Sequence, residues 1–286
     1  MLDIARLRVL AAIAATGSVT KAAKHLHYSQ PSVSHHLARL EAETGARLVQ
    51  RVGRGIRLTP EGEQLARRAA EIVGRVDSAA AELDAMVGLR AGRVRFAGFQ
   101  SALAVLVPPA AAALRRDHPD IEIHLVDAHP RVALDLLRDG QIDAAIVFRY
   151  DDTTPDDVRA VHLLDDPMYL LSLAPGETLL DHRDSAWIAG CENCRREFVE
   201  ACDGAGFTPR IAYTSDDSIV EQALVAGGMG VTTMPGLALR SHRAAGVEAT
   251  EIPGFRRRVS VVTYGEPPDP PATAAFVDAL RSTVAP

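Results

Sequence analysis

Six side chains between residues 29 and 43 can do one kind of chemistry together. Gln30, Ser32, Ser34, His35, His36 and Arg39 are an amide, hydroxyls, imidazoles and a guanidinium, and none is acidic. Such groups exchange hydrogen bonds with something polar and anionic, as base edges and phosphates are. Their stretch reads as a helix. Ser29 is a good N-cap, and Pro31 falls in the first turn, where a missing N–H costs little. Val33, Leu37 and Leu40 recur at i, i+4 and i+7 as one apolar stripe. An ordinary amphipathic surface helix would carry the same stripe, so the neighbours decide between the two.

Upstream, Gly17 and Ser18 punctuate the chain, and Ser18 can cap a second helix, Val19–His25, with Ala22, Ala23 and Leu26 inward. A turn at 26–28 joins the two. Two short helices with a tight turn, the second polar outside, form the helix-turn-helix unit whose second helix enters the DNA major groove. Downstream, residues 47–59 read as a basic hairpin, turned by Gly53 and Gly55 and carrying Arg51, Arg54 and Arg57. It suits a wing that reaches phosphate. The charge is split accordingly. Residues 1–62 hold nine Lys and Arg against four Asp and Glu, a net of +5, which leaves −11 for the rest of a chain whose net is −6. A basic head on an acidic body is expected when only the head meets nucleic acid.

Other chemistry finds less support. Cys191, Cys194 and Cys202 invite a zinc or a redox reading. Zinc normally takes four ligands, and a second CxxC is absent, with His182 the only nearby imidazole in sequence. A helix start, with Cys202 as a small buried apolar residue, fits better. The glycines of 227–230 precede a strand rather than a helix, so they make no dinucleotide fingerprint. No GxSxG, P-loop or HExxH appears. No catalytic residue, no metal and no cofactor are expected, and the chain does not read as an enzyme. Asp216 and Asp217 read as a helix cap, and Trp187 as core.

At 286 residues, 47% apolar and 24% charged, the chain has room for two or more globular domains. Helix 3–15 should pack behind the helix-turn-helix. Thr59 and Pro60 open a helix over 60–87 in which Leu65, Ala69, Ile72, Val76, Ala79, Leu83 and Met86 are spaced 4, 3, 4, 3, 4, 3. That is a heptad seam. A helix about 40 Å long cannot bury such a seam on itself, and an identical chain is the simplest partner; packing on its own body is the competing outcome. After a hinge at 88–92, strands are expected at 93–99, 121–126, 142–148, 161–164, 168–174, 186–189, 210–214, 230–234 and 257–264. Helices are expected between them at 101–117, 130–139, 194–205, 216–226 and 271–284. This alternation implies parallel sheet in two lobes, as in periplasmic binding proteins, with a ligand cleft between them.

The fold class is α+β multi-domain: a DNA-binding head at 1–59, a dimerisation helix at 60–87, a hinge at 88–92 and an effector domain at 93–286. Lobe I is expected at about 93–160 and 265–286, and lobe II at about 161–264. Ligand should meet the carboxyl ends of strands, where helix N-termini gather. The candidates are Gln100, Ser101, Ala102, His129, Phe148, Arg149, Cys191, Asn193 and Thr232, with Ser101 foremost. The start of the chain shows no charged and apolar leader, so no signal peptide is expected. The run 102–114 is too short to span a bilayer, and three cysteines make no disulfide framework. The expected compartment is the cytoplasm, with no membrane partner.

Gly17-Ser18, Ala22-Ala23, Leu26, Ser29-Gln30-Pro31, Val33-Ser34, Leu40-Glu41, Gly45, Leu48, Arg51, Arg54, Leu58-Thr59 and Gly62 resemble the winged helix-turn-helix of LysR-type transcriptional regulators. The order of parts resembles that family along the whole chain, specifically over residues 1–65 and architecturally beyond. The resemblance implies a sequence-specific DNA-binding regulator, a homodimer or dimer of dimers (homotetramer), and a small-molecule co-inducer in the cleft. It implies control of neighbouring genes, with RNA polymerase as a further partner left open. Carried over by position, Gln30, Pro31, Ser34 and His35 would face the groove, Ser18 and Thr20 would touch phosphate, and Arg51 and Arg54 would anchor the wing. His35 stands where the family usually has Arg or Lys, Val49 where Phe is frequent, and Thr44 where Leu is. Arg pairs bidentately with guanine while imidazole offers one donor or acceptor, so base preference at His35 should differ. The alternative is a two-lobed binding protein or enzyme whose head serves assembly only.

Overall fold

Side-chain caps fix where the helices of the head begin. The computed structural model describes residues 2–52, 55–86, 92–151, 153, 155, 157–265 and 267–284, with side chains for all of these except 51, 52, 55, 78, 81, 82, 84–86 and 193. Helix α1 (Ile4–Thr16) starts where the Asp3 carboxylate accepts the Arg6 N–H. Helix α2 (Val19–His25) starts at Ser18, whose Oγ accepts the Lys21 N–H. Helix α3 (Gln30–Thr44) starts at Ser29, whose Oγ accepts the Ser32 N–H. Their apolar stripes meet in one core that includes Leu7, Leu10, Ile13, Ala22, Ala23, Val33, Leu37 and Leu40. The hairpin of β1 (Val49–Val52) and β2 (Gly55–Leu58) is antiparallel. Glu41 holds its base: one carboxylate oxygen accepts the N–H groups of Leu48 at 2.8 Å and Val49 at 3.3 Å.

Helix α4 (Pro60–Met86) begins against that hairpin. A Cβ on Gly62 would sit 1.9 Å from the Leu48 carbonyl oxygen, so only glycine allows this approach. The seam expected to pair with a second chain is divided. Ala69 is buried and Leu65 half-buried in the head core, beside Ala66 and Val73. Both pack into the chain's own head, whose α1 an Arg8–Asp77 ion pair of 2.6 Å also ties to α4. The rest of the seam lies past the end of the head. Ile72 (37%), Val76 (41%) and Leu83 (61%) stay exposed, as does Ala79. The side chain of Met86 lies outside the described residues.

The body follows as β3 (Arg93–Gly98), α5 (Gln100–Val105), α6 (Val107–Asp117), β4 (Glu122–Asp127), α7 (Pro130–Arg138) and β5 (Ala144–Arg149). Then come β6 (Val158–Ser172), a 3-10 turn (Leu179–His182), β7 (Ala186–Ala189), α8 (Glu192–Gly204), β8 (Arg210–Thr214) and α9 (Ser218–Ala226). The chain closes with β9 (Thr232–Pro235), α10 (Gly236–Ser241), β10 (Glu248–Tyr264) and α11 (Pro271–Val284). One sheet has the order β4-β3-β5-β10-β6-β9, and β7 pairs with β8. Phe96, Ile146, Val259 and Phe276 fill the lobe I core under α5, α6 and α11, while Trp187, Phe198 and Cys202 lie in that of lobe II. Among the described residues, no helix is long and apolar enough to cross a membrane.

Several expectations change. The helix expected at 101–117 is two, because Pro108 and Pro109 lack the N–H groups that a continuous helix would need there; the break at Leu106 puts them in the first turn of α6. The strands expected at 161–164 and 168–174 are one strand, β6. The strand expected at 257–264 extends back to Glu248, past an irregularity between Glu251 and Arg256 that holds Pro253 and Gly254. These two long strands cross between the lobes. Residues 258–263 pair with β5 of lobe I, so the change of lobe falls near 165–167 and 251–257 rather than at 161 and 264.

At that crossing Asp166 stands opposite Arg257. The guanidinium meets the carboxylate at 2.8 Å, and both side chains are buried. The other oxygen of Asp166 accepts the Leu237 N–H of α10 at 2.9 Å. Removing one partner strands a buried charge, which costs about 3–5 kcal/mol. Asp166→Ala should therefore lower unfolding stability by about that amount in urea titration, and pairing it with Arg257→Met should recover part of the loss. A single-variant loss below about 1 kcal/mol would show the pair to be dispensable.

Candidate functional site

The outer face of α3 is exposed at Gln30, Pro31, Ser34, His35 and Arg39. Its acids are turned away: Glu41 holds the hairpin and Glu43 pairs with Arg6. Ser32 and His36 are half-buried. The His36 ring stacks on Tyr28 of the preceding turn at 5.9 Å, so it is held in place before any partner arrives. Thr20 is exposed, and the Ser18 hydroxyl, which accepts from Lys21, keeps its own proton to donate. The backbone of Arg51 lies in β1, opposite Ile56. The side chain of Arg51 and all of Arg54 lie outside the described residues.

A cavity of about 590 Å³ opens between the lobes. Gln100, Ser101, His129, Phe148, Cys191 and Thr232 line it, as expected from the sequence. Ala102 does not: it is fully buried in the lobe I core, on the inner side of α5. Arg149 does not either. Successive residues of a strand face opposite ways, so Phe148 reaches the cleft while Arg149 pairs with Asp151 at 3.1 Å and lines a separate pocket. The Asn193 side chain lies outside the described residues. Trp187 is buried, with its indole N–H donating to the His182 carbonyl, so it is core.

Among the lining groups that escape the sequence pattern are Arg257, Glu221, Tyr150 and Cys194. The Arg257 guanidinium lies 4.7 Å from the Phe99 ring centre and 4.5 Å from that of Phe148. It donates to the Ser101 Oγ at 2.9 Å as well as to Asp166. Ser101 is thus a positioned acceptor rather than a loose hydroxyl. The only signal for Arg257 is its place as the middle of three arginines opening an apolar run.

Glu221 is buried on α9. Its carboxyl lies 3.1 Å from the Thr232 Oγ1, which also lies 2.9 Å from the Ile188 carbonyl. A hydroxyl has one proton, and a carbonyl cannot donate. The Thr232 hydroxyl therefore shares its one proton between the Ile188 carbonyl and the Glu221 carboxyl, both of which accept. Burial pushes the Glu221 carboxyl up to about 8, against the Thr232 hydrogen bond, which holds it down.

Cys191 caps α8 and Cys194 lies one turn in, with their sulfurs 3.2 Å apart. Both are met from lobe I. The hydrogen bond to Cys191 raises the His129 imidazole above its ordinary value. The hydrogen bond with Cys194, and after it that with His129, holds the Cys191 thiol well below its ordinary range. Cys194 goes up, through the same bond with Cys191 and through burial. Tyr150 also goes up, mainly through burial, and hydrogen-bonds Cys194. Among the described residues no group of three or more His, Cys, Asp or Glu could hold a metal ion.

The family described as "LysR substrate binding domain" matches residues 88–285. The family described as "Bacterial regulatory helix-turn-helix protein, lysR family" matches residues 4–63. The probable HTH-type transcriptional regulator LrrA of Synechococcus elongatus is 27% identical over 295 residues, covering 99% of this chain and 97% of LrrA. The transcriptional dual regulator GltC of Bacillus subtilis is 28% identical over 273 residues, 91% of this chain and 90% of GltC. In structure, a full-length OxyR variant from Pseudomonas aeruginosa aligns with a TM-score of 0.74 at 24% identity, over 98% of this chain and 95% of that one. CbnR, a LysR family transcriptional regulator, aligns at 0.69 and 21% identity over 100% of both chains. The two structures share this fold.

The Glu221 proton has a consequence for stability. An unfolded Glu titrates near 4.5 and the folded one near 8, so the folded state holds the extra proton between those values. That contribution is full below about 4.5 and is lost as pH rises through about 8. Glu221→Gln keeps the hydrogen-bonding shape without the proton, so its melting temperature should gain on the parent steadily from pH 5 to pH 8. A difference between the two that is flat with pH, by scanning calorimetry, would remove the assignment.

Proposed function

The chain belongs to the LysR family of bacterial transcriptional regulators, with a DNA-binding helix-turn-helix and an effector-binding domain, and we propose that its operator binding responds to a small molecule held between the lobes. One observation carries the reading: of the polar groups that α3 exposes, Gln30, Ser34, His35 and Arg39 are of neutral or positive character, and its two acids are committed to Leu48, Val49 and Arg6. In the major groove, Gln30, Ser34 and His35 meet base edges, with Pro31 and Ser32 against the backbone. Ser18, Thr20, Arg39, Arg51 and Arg54 meet phosphate, and His36 packs behind them on Tyr28.

Residues 1–59 then form the DNA-binding part, 60–87 the dimerisation helix, 88–92 the hinge and 93–286 the effector domain. Ile72, Val76, Ala79 and Leu83 form the seam toward a second chain, and each large apolar side chain covered there contributes roughly 1.5–3 kcal/mol. Such dimers can pair further into tetramers, with RNA polymerase as an additional partner. The aromatic walls and convergent polar groups of the cleft suit a small molecule with an apolar body and hydrogen-bonding ends. Ser101, His129 and Gln100 meet it, joined by Arg257 and Glu221. No residue is assigned a catalytic role, and a DNA partner supports a cytoplasmic location.

Fluorescence anisotropy on a duplex from the DNA upstream of its own gene tests the reading. Binding should exceed that to a scrambled duplex and weaken steeply with salt. Arg39→Ala should weaken binding on both duplexes and reduce the salt slope by about 1. Ser101→Ala should keep operator binding and blunt its response to ligand. Equal, salt-insensitive binding to both duplexes would instead favour a head that serves assembly only. Sedimentation tests the seam: the parent should stay dimeric at micromolar concentration, and Val76→Glu should shift it to monomer with its melting temperature retained.

A further inference from the structure

Two thiols stand in contact in the wall of the cleft, and the ligand reading gives them no role. Cys191 and Cys194 are both free, with sulfurs 3.2 Å apart in one turn at the start of α8. Both line the cavity. The third cysteine, Cys202, is fully buried among Trp187, Phe198 and Leu170. A disulfide needs its sulfurs about 2.05 Å apart, so closure asks for a movement of about 1 Å. Cys191 sits where a helix N-terminus and the His129 imidazole both favour the thiolate. It is half exposed to the cleft, while Cys194 behind it keeps its proton.

We propose that Cys191 and Cys194 form a reversible disulfide-exchange site in the cleft wall, oxidised by a low-molecular-weight disulfide and reduced by a dithiol. The Cys191 thiolate attacks one sulfur of the reagent, forms a mixed disulfide and expels a thiolate. Cys194 then gives its proton to solvent, attacks the Cys191 sulfur and expels the second thiolate. The Cys191 thiolate and the Cys194 thiol are oxidised to one disulfide, and one reagent disulfide is reduced to two thiolates, one of which takes up the proton that Cys194 releases. The bond also removes the charge of Cys191 and the S–H of Cys194. These are the two groups through which α8 holds His129 and Tyr150 of lobe I. Oxidation thus alters the contacts that span the cleft, independently of any ligand.

The experiment uses the full chain, reduced and then exposed to oxidised glutathione, quenched in acid and alkylated for intact and peptide mass. The parent should lose two hydrogens, with the bond mapped to Cys191–Cys194, and dithiothreitol should restore both thiols. Cys194→Ser should trap one glutathione on Cys191, whereas Cys191→Ser should stay unmodified under native conditions. His129→Asn should slow the first step roughly tenfold near neutral pH, because the thiolate fraction falls. Melting curves of each variant confirm that it is folded. Three results would each overturn the proposal: a glutathione adduct that persists on the parent, a bond that involves Cys202, or no reaction of the folded parent while denatured chain reacts.

Discussion

The ion pair of Asp166 with Arg257 is the constraint on which the body depends. Two strands carry the chain between the lobes, and where they cross, Asp166 and Arg257 face each other with both side chains buried, whereas those of the neighbouring Asp165 and Arg258 are not. A buried pair is not in itself a source of stability, since desolvation offsets most of the attraction. What it supplies here is position. Asp166 fixes the first turn of α10 through the Leu237 N–H, and Arg257 fixes Ser101 at the start of α5. The rings of Phe99 and Phe148 close over the guanidinium. A displacement of either strand would break the lobe crossing and the cleft floor together.

The cleft repeats this logic with protons. Arg257 is charged and satisfied. Glu221 is acidic in type, yet burial pushes its carboxyl up to about 8, against the hydrogen bond it accepts from Thr232. Cys191 and Cys194 divide one proton between two sulfurs, and His129 favours leaving Cys191 without it. Residue type therefore gives a poor account of the charge in this cavity, and burial with hydrogen bonding gives a better one.

That difference explains what the sequence could carry. The head is built of local signals: Ser18 and Ser29 cap, Pro31 starts, and Val33, Leu37 and Leu40 repeat at helical spacing, all within a few residues of the groups they position. Its outer face is legible for the same reason. The cleft is assembled from segments up to 156 residues apart, as in the bond of Arg257 to Ser101, and no local pattern marks such partners. Strand alternation could have separated Phe148 from Arg149, but only once the face toward the cleft was known. Ala102 shows the same limit, since a six-residue helix has too few positions to display a period. In α4 the heptad was legible over its whole length, yet its first two positions are used by the chain's own head core.

The same long strand that carries Arg257 also reaches the stalk. Its last residue, Tyr264, donates to the Glu71 carboxylate of α4 at 3.2 Å, and Arg75 lies 5.1 Å over its ring. From Arg257 to Tyr264 is seven residues, about 23 Å of extended chain at 3.3 Å each. Beside it, Gly74 of α4 and Gly140 after α7 touch backbone to backbone, so closely that a Cβ on Gly74 would come within 2.4 Å of the Gly140 Cα. The stalk is in turn packed on α1 through Ala66, Ala69 and Val73. Each link is a strand, a helix or a contact with no room to slide. The cleft floor at Arg257 and the head that presents α3 are thus joined, through β10 and α4, by an unbroken series of direct contacts.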